Sequence, residues 1–333
     1  MQQFAALFTA LDQTTKTNAK VAALADYFQV ASEDDKLWTI ALLSGRRPKR
    51  TLTVSKLREW AAEIAGIPQW LFEESYPIVG DLAETIALIL PEPSARSTKT
   101  LTAWSEEIKA LGNEDEPVRK AKILSAWDRL ERAERFVFNK LITGGFRVGV
   151  SQKLMTRALS KATGVVETEL AHRLMGDWTP ETVTFQSLIL TPDPQADLSK
   201  PFPFYLAYQL DGVPDDLGAP EAWGAEHKWD GIRGQVILRQ GQHFVWSRGE
   251  ELMTDRFPEL AALADFVLSG TVLDGELLAW NHDTDAPLSF NALQKRIGRK
   301  TVPKKLLADA PVVLRAYDVL EWKGDDVRAR AFS

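Results

Sequence analysis

Apolar residues recur every three to four positions through the first 186 residues, which is the period of an amphipathic helix. The stretch "SEDDKLWTIALLSG" begins with Ser32 and Asp35 in capping-box spacing and ends at Gly45, a residue type that commonly stops a helix. Little in this half of the chain alternates with a period of two. The pattern therefore predicts an all-helical domain over residues 1–186.

Two further stretches repeat the helical pattern. "TVSKLREWAAEIAG" places four apolar residues on one face, and "EPVRKAKILSAWDRLERAERFVFNKLITGG" forms one long helical pattern that closes at a glycine pair. The apolar positions are Leu57, Trp60, Ala61 and Ile64 in the first stretch, and Ile123, Trp127, Leu130 and Phe138 in the second.

The pattern changes after residue 186. "SLILTPDPQADLSKPFP" carries four prolines and no sustained period, which predicts a linker over residues 187–203. Beyond it, "GIRGQVILRQGQHFVWSRG" predicts two strands joined by a short turn, "DRFPELAALADFVLSG" predicts a helix, and "TVLDGELLAW" and "PVVLRAYDVLEW" predict strands. Residues 204–333 are therefore expected to form an α+β domain with hairpins.

The composition narrows the class of protein. Of the 333 residues, 45% are hydrophobic and none is cysteine, so disulfides, thiolate metal sites and thiol catalysis are excluded. The N-terminal sequence lacks the pattern of a signal peptide, and no apolar run is long enough to span a bilayer. We expect a cytoplasmic monomer with no membrane partner.

The charge pattern leaves the partner open. A net charge of −6 argues mildly against a protein that coats nucleic acid indiscriminately, yet "GRRPKRTLTVSKLR" and "LQKRIGRKTVPKK" are locally basic. A charge run taken alone is more often a solvated surface than a binding site. A polyanionic partner and a solvent-exposed face both remain open on this ground.

Polar residues stand near the ends of the predicted strands. At period two, Asp274 and Glu276 share one face of their strand. If the strands lie side by side, the set converges on one cleft that suits a nucleoside triphosphate: cations for phosphates, carboxylates for Mg²⁺ or a ribose hydroxyl, and a ring that stacks on a base. The set comprises Lys228, Asp230, Arg233, Arg248, Asp274, Glu276, Tyr317 and Asp318.

A lysine in such a cleft has a specific chemical use. Its ammonium group, with a reference pKa of about 10.4, is no nucleophile at neutral pH. Burial and nearby cations such as Arg233 or Mg²⁺ would favour the neutral amine at Lys228, which can attack phosphorus. For K-x-D-G alone, a surface lysine at a strand end is the alternative. His227 points to the opposite side of an extended strand, so we assign it no role.

The order of the motifs resembles that of ATP-dependent DNA ligases. "EHKWDGIR", "SRGEE", "LDGELLAW" and "AYDVLEW" resemble their nucleotidyltransferase motifs, and "LLSGRRPKR", "ESYPIVGDLAETIALIL" and "GGFRVGVSQKLMTRALSKATG" resemble their helical DNA-binding domain. The resemblance implies the bacterial type, in which an all-α DNA-binding domain precedes an α+β nucleotidyltransferase domain with an ATP-grasp-like antiparallel sheet. The later strands and the OB-fold domain of the family do not follow "EWKGDDVRARAFS", so we expect an adenylation domain that is incomplete at its C-terminus.

The resemblance also implies a role for each motif residue. Trp229 and Tyr317 stand where relatives often carry Tyr or Leu and Phe, and both changes keep an apolar or aromatic surface. The implied roles are Lys228 as the nucleophile that carries AMP, Glu226 at the adenine amino group, Arg233 at the ribose or phosphates, Arg248 at phosphate, Glu276 at the ribose hydroxyl, Tyr317 stacked on adenine, and Glu276 with Asp230 as Mg²⁺ ligands.

Candidates for contacts with DNA phosphates lie in the helical half. Glycine-rich helix starts present free N–H groups, and cations neutralise phosphates. A structural turn at "FRVGVS" and solvent-facing cations are the alternative. The candidates are Arg46, Arg47, Lys49, Arg50, Gly145, Arg147, Gly149, Ser151 and Lys153.

The resulting hypothesis is an ATP-dependent DNA ligase that uses ATP and Mg²⁺ to join a 5′-phosphate to a 3′-hydroxyl at a nick in duplex DNA, through lysyl-AMP and adenylated DNA. NAD-dependent ligases carry a cysteine zinc finger, which a chain without cysteine cannot form. RNA ligases and capping enzymes share the lysine motif but lack the helical domain. The rival from another class is a non-catalytic DNA-binding clamp. We expect the 333-residue chain to bind DNA and to seal nicks poorly or not at all.

Overall fold

A computed structural model describes residues 1–46, 51–146, 148–174, 178–192, 196–205, 209–210, 212–249, 251–299 and 302–331. The chain divides into two compact units, residues 1–192 and residues 193–333. Within the described ranges, no helix is both long enough and apolar enough to cross a membrane.

The first unit is helical, as its sequence pattern predicts. Its helices surround one apolar core that includes Phe4, Leu57, Trp127 and Phe138. The α-helices are α1 (Gln2–Asp12), α2 (Thr17–Val30), α3 (Glu33–Ser44), α4 (Val54–Ala65), α5 (Gln69–Val79), α6 (Leu82–Ile89), α7 (Leu101–Ala110), α8 (Glu116–Trp127), α9 (Arg132–Thr143), α10 (Gln152–Thr163) and α11 (Glu167–Arg173).

Local signals in the sequence set the ends of α3. The Ser32 hydroxyl accepts a hydrogen bond from the Asp35 N–H at 3.4 Å, which satisfies one of the free donors of the first turn. Gly45 follows the helix with a φ of 90°, a left-handed conformation that glycine adopts without steric cost. The predicted start and stop of this helix are confirmed.

Helix α4 buries three of the four apolar residues that were predicted to share one of its faces. Leu57, Trp60 and Ala61 are buried, as the apolar spacing predicts. Ile64, the fourth residue of that predicted face, is 41% exposed. It lies in the last turn, next to the Gly66 that ends the helix.

The predicted long helix is two helices. Helix α8 ends at Trp127, and the Glu134 carboxylate accepts the Glu131 N–H at 3.1 Å, which favours a new helix start there. The guanidinium of Arg135 donates to the Trp127 carbonyl at 2.6 Å and so satisfies an acceptor at the end of α8. The apolar period predicts one continuous helix because Leu130, in the connection between the two helices, is also fully buried.

The predicted linker starts too early. A π-helical turn at Gln186–Leu190 packs on the helical unit, and Ile189 is completely buried in its core with Leu188 beside it. Burial of Leu188 and Ile189 stabilises this turn on the helical unit despite the prolines that follow it. The helical unit therefore extends to Pro192.

The second unit contains the predicted hairpin. Strand β1 (Ile232–Arg239) pairs antiparallel with β2 (Gln242–Ser247) through a two-residue turn. The turn residues Gln240 and Gly241 have φ values of 50° and 74°. Two consecutive positive φ values give the type of turn that suits the twist of paired strands.

The hairpin extends into an antiparallel sheet of order β2-β1-β3-β5-β6. The core of the unit covers one face, which carries Val236 and Leu277. Since side chains alternate along a strand, Arg233 and Glu276 lie on the other face. The remaining elements are β3 (Thr271–Asn281), β4 (Ala286–Pro287), which pairs with β3, β5 (Val312–Trp322), β6 (Asp325–Asp326), α12 (Phe290–Ile297) and α13 (Lys304–Asp309).

The helix predicted in "DRFPELAALADFVLSG" is a pair of 3-10 helices, Thr254–Arg256 and Pro258–Asp265, and so differs from an α-helix. Phe257, Leu260 and Leu263 pack on the core of the unit. Their spacing of three aligns them along one edge of a 3-10 helix, which has three residues per turn.

Candidate active site

A cavity of about 680 Å³ opens on the polar side of the sheet in the second unit. All seven residues that the motifs predict for nucleotide and metal binding line it. They are Glu226, Lys228, Asp230, Arg233, Arg248, Glu276 and Tyr317. Of the eight residues that the sequence predicts to converge on one cleft, six line this cavity, while Asp274 and Asp318 are not among its lining residues.

Strand register explains the convergence. Arg233 on β1 lies opposite Glu276 on β3, and residues opposite each other in neighbouring strands present side chains to the same face. At the end of β2, the N–H of Arg248 donates to the Arg233 carbonyl at 3.0 Å, which places Arg248 beside it. Strand β5 adds Tyr317 from the other side of β3.

Lys228 lies in the irregular segment 224–230, which precedes β1, and it is exposed. Burial was expected to favour its neutral amine, and the described residues do not bury it.

His227 also lines the cavity, which corrects the expectation that it points away from Lys228. The expectation assumed an extended, paired strand, but the segment 224–230 belongs to no strand. The ring of His227 lies 4.3 Å from that of Trp229, centroid to centroid.

Arg233 is held by a carboxylate. Its Nε donates to Oδ1 of Asp274 at 3.1 Å and its Nη2 to Oδ2 at 2.9 Å, while Nη1 donates to the Tyr205 carbonyl. Hydrogen bonding to Asp274 raises the pKa of Arg233. Asp274, which is only 3% exposed, thus orients the guanidinium in the cavity wall. The sequence pattern alone does not predict this role for Asp274.

Glu276 and Tyr317 are both half-buried. Burial raises the pKa of Glu276, although the Gly231 N–H, which donates to its Oε1 at 3.2 Å, acts in the opposite direction, as do the charges of Lys228, Arg233 and Arg248. Burial also raises the pKa of Tyr317, so its phenol is neutral at pH 7.

The Glu276→Gln variant is expected to make the second unit more stable at pH 7. The folded-state pKa of Glu276 lies above its unfolded value, so its ionised carboxylate disfavours folding at neutral pH, and this penalty vanishes below the unfolded value of about 4.3. Thermal denaturation between pH 4 and 8 should show an advantage for the variant that shrinks toward pH 4. The exposed Glu221→Gln serves as the control, and a less stable Glu276→Gln variant at pH 7 would contradict the expectation.

Three carboxylates line the cavity, those of Glu226, Asp230 and Glu276, and the second and third are the predicted Mg²⁺ ligands. Among the described residues, no three Asp, Glu, His or Cys side chains form a cluster that holds a metal by itself. Because Mg²⁺ is commonly held by one or two carboxylates together with substrate phosphates, the residues present fit it as an ion that is bound with a nucleotide.

The predicted DNA contacts fall in two places of the helical unit. Arg47, Lys49, Arg50 and Arg147 lie outside the described residues. Arg46 donates from Nη2 to the Leu174 carbonyl at 3.2 Å and stacks on Trp178, with 4.6 Å between its guanidinium carbon and the ring centroid.

The other candidates lie in or next to the loop between α9 and α10. Ser151 caps α10 by accepting the Leu154 N–H at 3.2 Å, and Lys153 lies in the first turn of that helix. Within the loop, the Val148 carbonyl accepts a hydrogen bond from the buried amine of Lys20. The next residue, Gly149, has a left-handed φ of 63°. No contact among the residues that the structure describes tests whether Gly145, Gly149, Ser151 and Lys153 bind phosphate, so that role stays a prediction.

Comparison with known proteins gives the family. The family profile "DNA ligase N terminus" matches residues 1–160, and "ATP dependent DNA ligase domain" matches residues 205–333. A probable DNA ligase of Koribacter versatilis is 29% identical over 97% of this chain and 58% of its own length. A probable DNA ligase of Streptomyces griseus is 27% identical over 96% of this chain and 59% of its own length.

A DNA ligase of Thermoplasma volcanium is 25% identical over 96% of this chain and 58% of its own length. The chain thus spans less than two thirds of these relatives. The solved ligase domain of LigD from M. tuberculosis is 31% identical over 30% of each chain, with a TM-score of 0.25, which is too low to support a claim about the fold. Two profiles of one family, in the order expected and on the two units observed, show that this chain belongs to the ATP-dependent DNA ligases.

Proposed function

We propose that the chain binds nicked duplex DNA and carries the adenylation chemistry of an ATP-dependent DNA ligase. The single observation that supports this most is the cavity in which Lys228 lies with two arginines, three carboxylates and the ring of Tyr317. Those groups are of the kinds that the motif resemblance implies for nucleotide binding. Arg233 and Arg248 supply the positive charge, and Tyr317 supplies the ring.

In the first step, the neutral amine of Lys228 attacks the α-phosphorus of ATP. The new N–P bond forms as the bond to the bridging oxygen breaks, pyrophosphate leaves with that electron pair, and the amine loses a proton to water. Arg233 and Arg248 would stabilise the charge that develops on the phosphate oxygens. Mg²⁺, when bound through Asp230, Glu276 and phosphate oxygens, would add positive charge at the same phosphates.

In the following steps, the 5′-phosphate of the nick attacks the phosphorus of lysyl-AMP and releases the amine of Lys228. The 3′-hydroxyl then attacks the 5′-phosphorus, a phosphodiester forms, and AMP leaves. Contacts with the DNA backbone position these groups, and the loop between α9 and α10 is the candidate surface for them.

The test of the proposal is to map the AMP group. The natural gene product, with whatever residues it carries beyond position 333, is incubated with ATP and Mg²⁺, digested and analysed by mass spectrometry. AMP on Lys228 supports the proposal. Binding of nicked DNA without any adduct would contradict catalysis and favour a non-catalytic clamp. For a polypeptide limited to residues 1–333, we keep the expectation of DNA binding with little or no sealing, which a sealing assay on a labelled nick tests.

DNA affinity is expected to fall steeply with salt, by about one unit of log–log slope for each phosphate contact. The Lys153→Met variant removes one candidate contact, so it should weaken binding at low salt and make the slope shallower by about one unit. Fluorescence anisotropy with a nicked duplex across a salt series measures both quantities. Lys122→Met is the matched control. Lys122 lies on α8, and its amine already pairs with the Glu114 carboxylate at 2.7 Å. Equal slopes for Lys153→Met and the unmodified protein would exclude Lys153 as a phosphate contact.

A further inference from the structure

The segment 224–230 carries Lys228 but has no strand pairing of its own. At its C-terminal end, the Gly231 N–H donates to Glu276 at 3.2 Å. Lys228 and both residues before it, Glu226 and His227, are exposed. Some other contact must therefore hold the nucleophile in the cavity wall if its amine is to meet a bound phosphate.

Trp229 supplies that contact. Its ring centroid lies 6.4 Å from that of Trp280 in an edge-on arrangement and 5.4 Å from the guanidinium carbon of Arg315. Arg315 also lies over the Trp280 ring, at 4.6 Å from its centroid. Trp280 is only 4% exposed and belongs to β3, so the group is built on the sheet.

Arg315 reaches these rings from β5, where it lies opposite Glu276 in the strand register. Other arginines of this unit pair with carboxylates: Arg239 with Glu321 and Arg296 with Glu259. Arg315 has no such ion pair among the residues that the structure describes. Its contacts are therefore aromatic, and indole rings give the strongest cation–π attraction of the side chains.

We propose that Arg315 is a positioning residue for Lys228. By lying over both Trp229 and Trp280, it joins the nucleophile's segment to strands β3 and β5. The effect on the adenylation rate rests on the proposed function. The effect on the order of the segment does not.

Loss of the partly exposed cation–π contact with Trp229 should raise the equilibrium constant for detachment of segment 224–230 from the sheet about two- to fivefold. A nucleophile that is displaced from its attack position loses rate steeply, and a displacement of about 1 Å commonly costs up to a hundredfold. Because only the ordered segment presents the amine, we expect Arg315→Met to slow lysyl-AMP formation at saturating ATP by at most about two- to fivefold and to leave the KM for ATP within about twofold. Arg315→Lys, which keeps the cation, should recover part of the rate.

Two measurements test the proposal. The first is native-state trypsin cleavage after Lys228, without ATP, which follows local opening of the segment. Cleavage after Lys295, on α12, in the same digest reports the rest of the unit. The second is the rate of lysyl-AMP formation as a function of ATP. Arg330→Met is the matched control, because Arg330 is 65% exposed and lies outside the cavity.

Faster cleavage after Lys228 alone in Arg315→Met, with an unchanged rate in Arg330→Met, supports the proposal. It is overturned if Arg315→Met raises the KM for ATP at an unchanged saturated rate, which would make Arg315 a phosphate ligand. It is equally overturned if cleavage after Lys295 rises in step, since that would mark a general loss of stability. If the unmodified protein forms no adduct, the proposed function fails, while the cleavage experiment still decides whether Arg315 holds the segment.

Discussion

The Lys228→Ala variant is expected to form no covalent AMP adduct and to bind nicked DNA with an affinity within about twofold of the unmodified protein. The reason for the first result is chemical: without the amine there is no nucleophile for the α-phosphorus, and the arginines of the cavity are not nucleophiles at neutral pH. The second result follows because the candidate DNA contacts lie on another unit of the chain. Intact-mass measurement after incubation with ATP gives the adduct, and anisotropy gives the affinity.

Lys295→Ala provides the matched control, since Lys295 lies on α12 in the second basic run and is not a residue of the Lys228 cavity. Its adduct should form at the rate of the unmodified protein. An adduct that persists in Lys228→Ala, or that maps to Lys295, would remove Lys228 from the nucleophile's role.

The Gly231→Ala variant is expected to lose most of its adenylation rate, by about a hundredfold, and to destabilise the second unit by about 1–3 kcal/mol. A Cβ at this position would lie 2.3 Å from the Leu277 carbonyl oxygen and 2.7 Å from a methyl carbon of Leu278. The backbone oxygen belongs to the central strand β3 and cannot move aside cheaply. The chain at residue 231 must shift instead, which displaces Lys228 three residues earlier.

Gly224→Ala is the control for this prediction, because a Cβ there meets nothing within 4 Å and the residue lies in the same segment. Thermal denaturation and the rate of lysyl-AMP formation should both be near those of the unmodified protein. A Gly231→Ala variant that adenylates at the normal rate would show that the close approach of this glycine to β3 is not needed.

Several features of the second unit could be predicted from the sequence because they depend on short-range pattern. Alternation of apolar residues predicts the strands, and "RQGQ" between two of them predicts the hairpin. Lys228 precedes β1, Arg233 lies at its start and Glu276 lies opposite Arg233 on β3, so pairing of the two strands brings these residues to one cavity. Convergence of this kind needs only that neighbouring strands pair.

Other features depend on contacts between distant parts of the chain, and the sequence pattern does not contain them. Asp274 orients Arg233 through the register of β1 on β3, and Arg315 reaches Trp229 through the register of β5. The position of His227 was predicted wrongly because alternation holds only within a paired strand. Likewise, the break between α8 and α9 depends on Arg135, a buried cation whose carbonyl partners lie in other segments.

Burial of Leu188 and Ile189 in the helical unit also determines where the gene can be divided for separate expression of the two units. A fragment that stops at codon 186 would remove a fully buried isoleucine and leave an apolar hollow on the surface of the product, open to self-association. Stopping at codon 192 keeps the whole core together. The fragment for the second unit should begin no later than residue 196, because the Ser199 carbonyl accepts a hydrogen bond from the Trp246 indole and the Phe202 N–H donates to Gln235 at 2.9 Å.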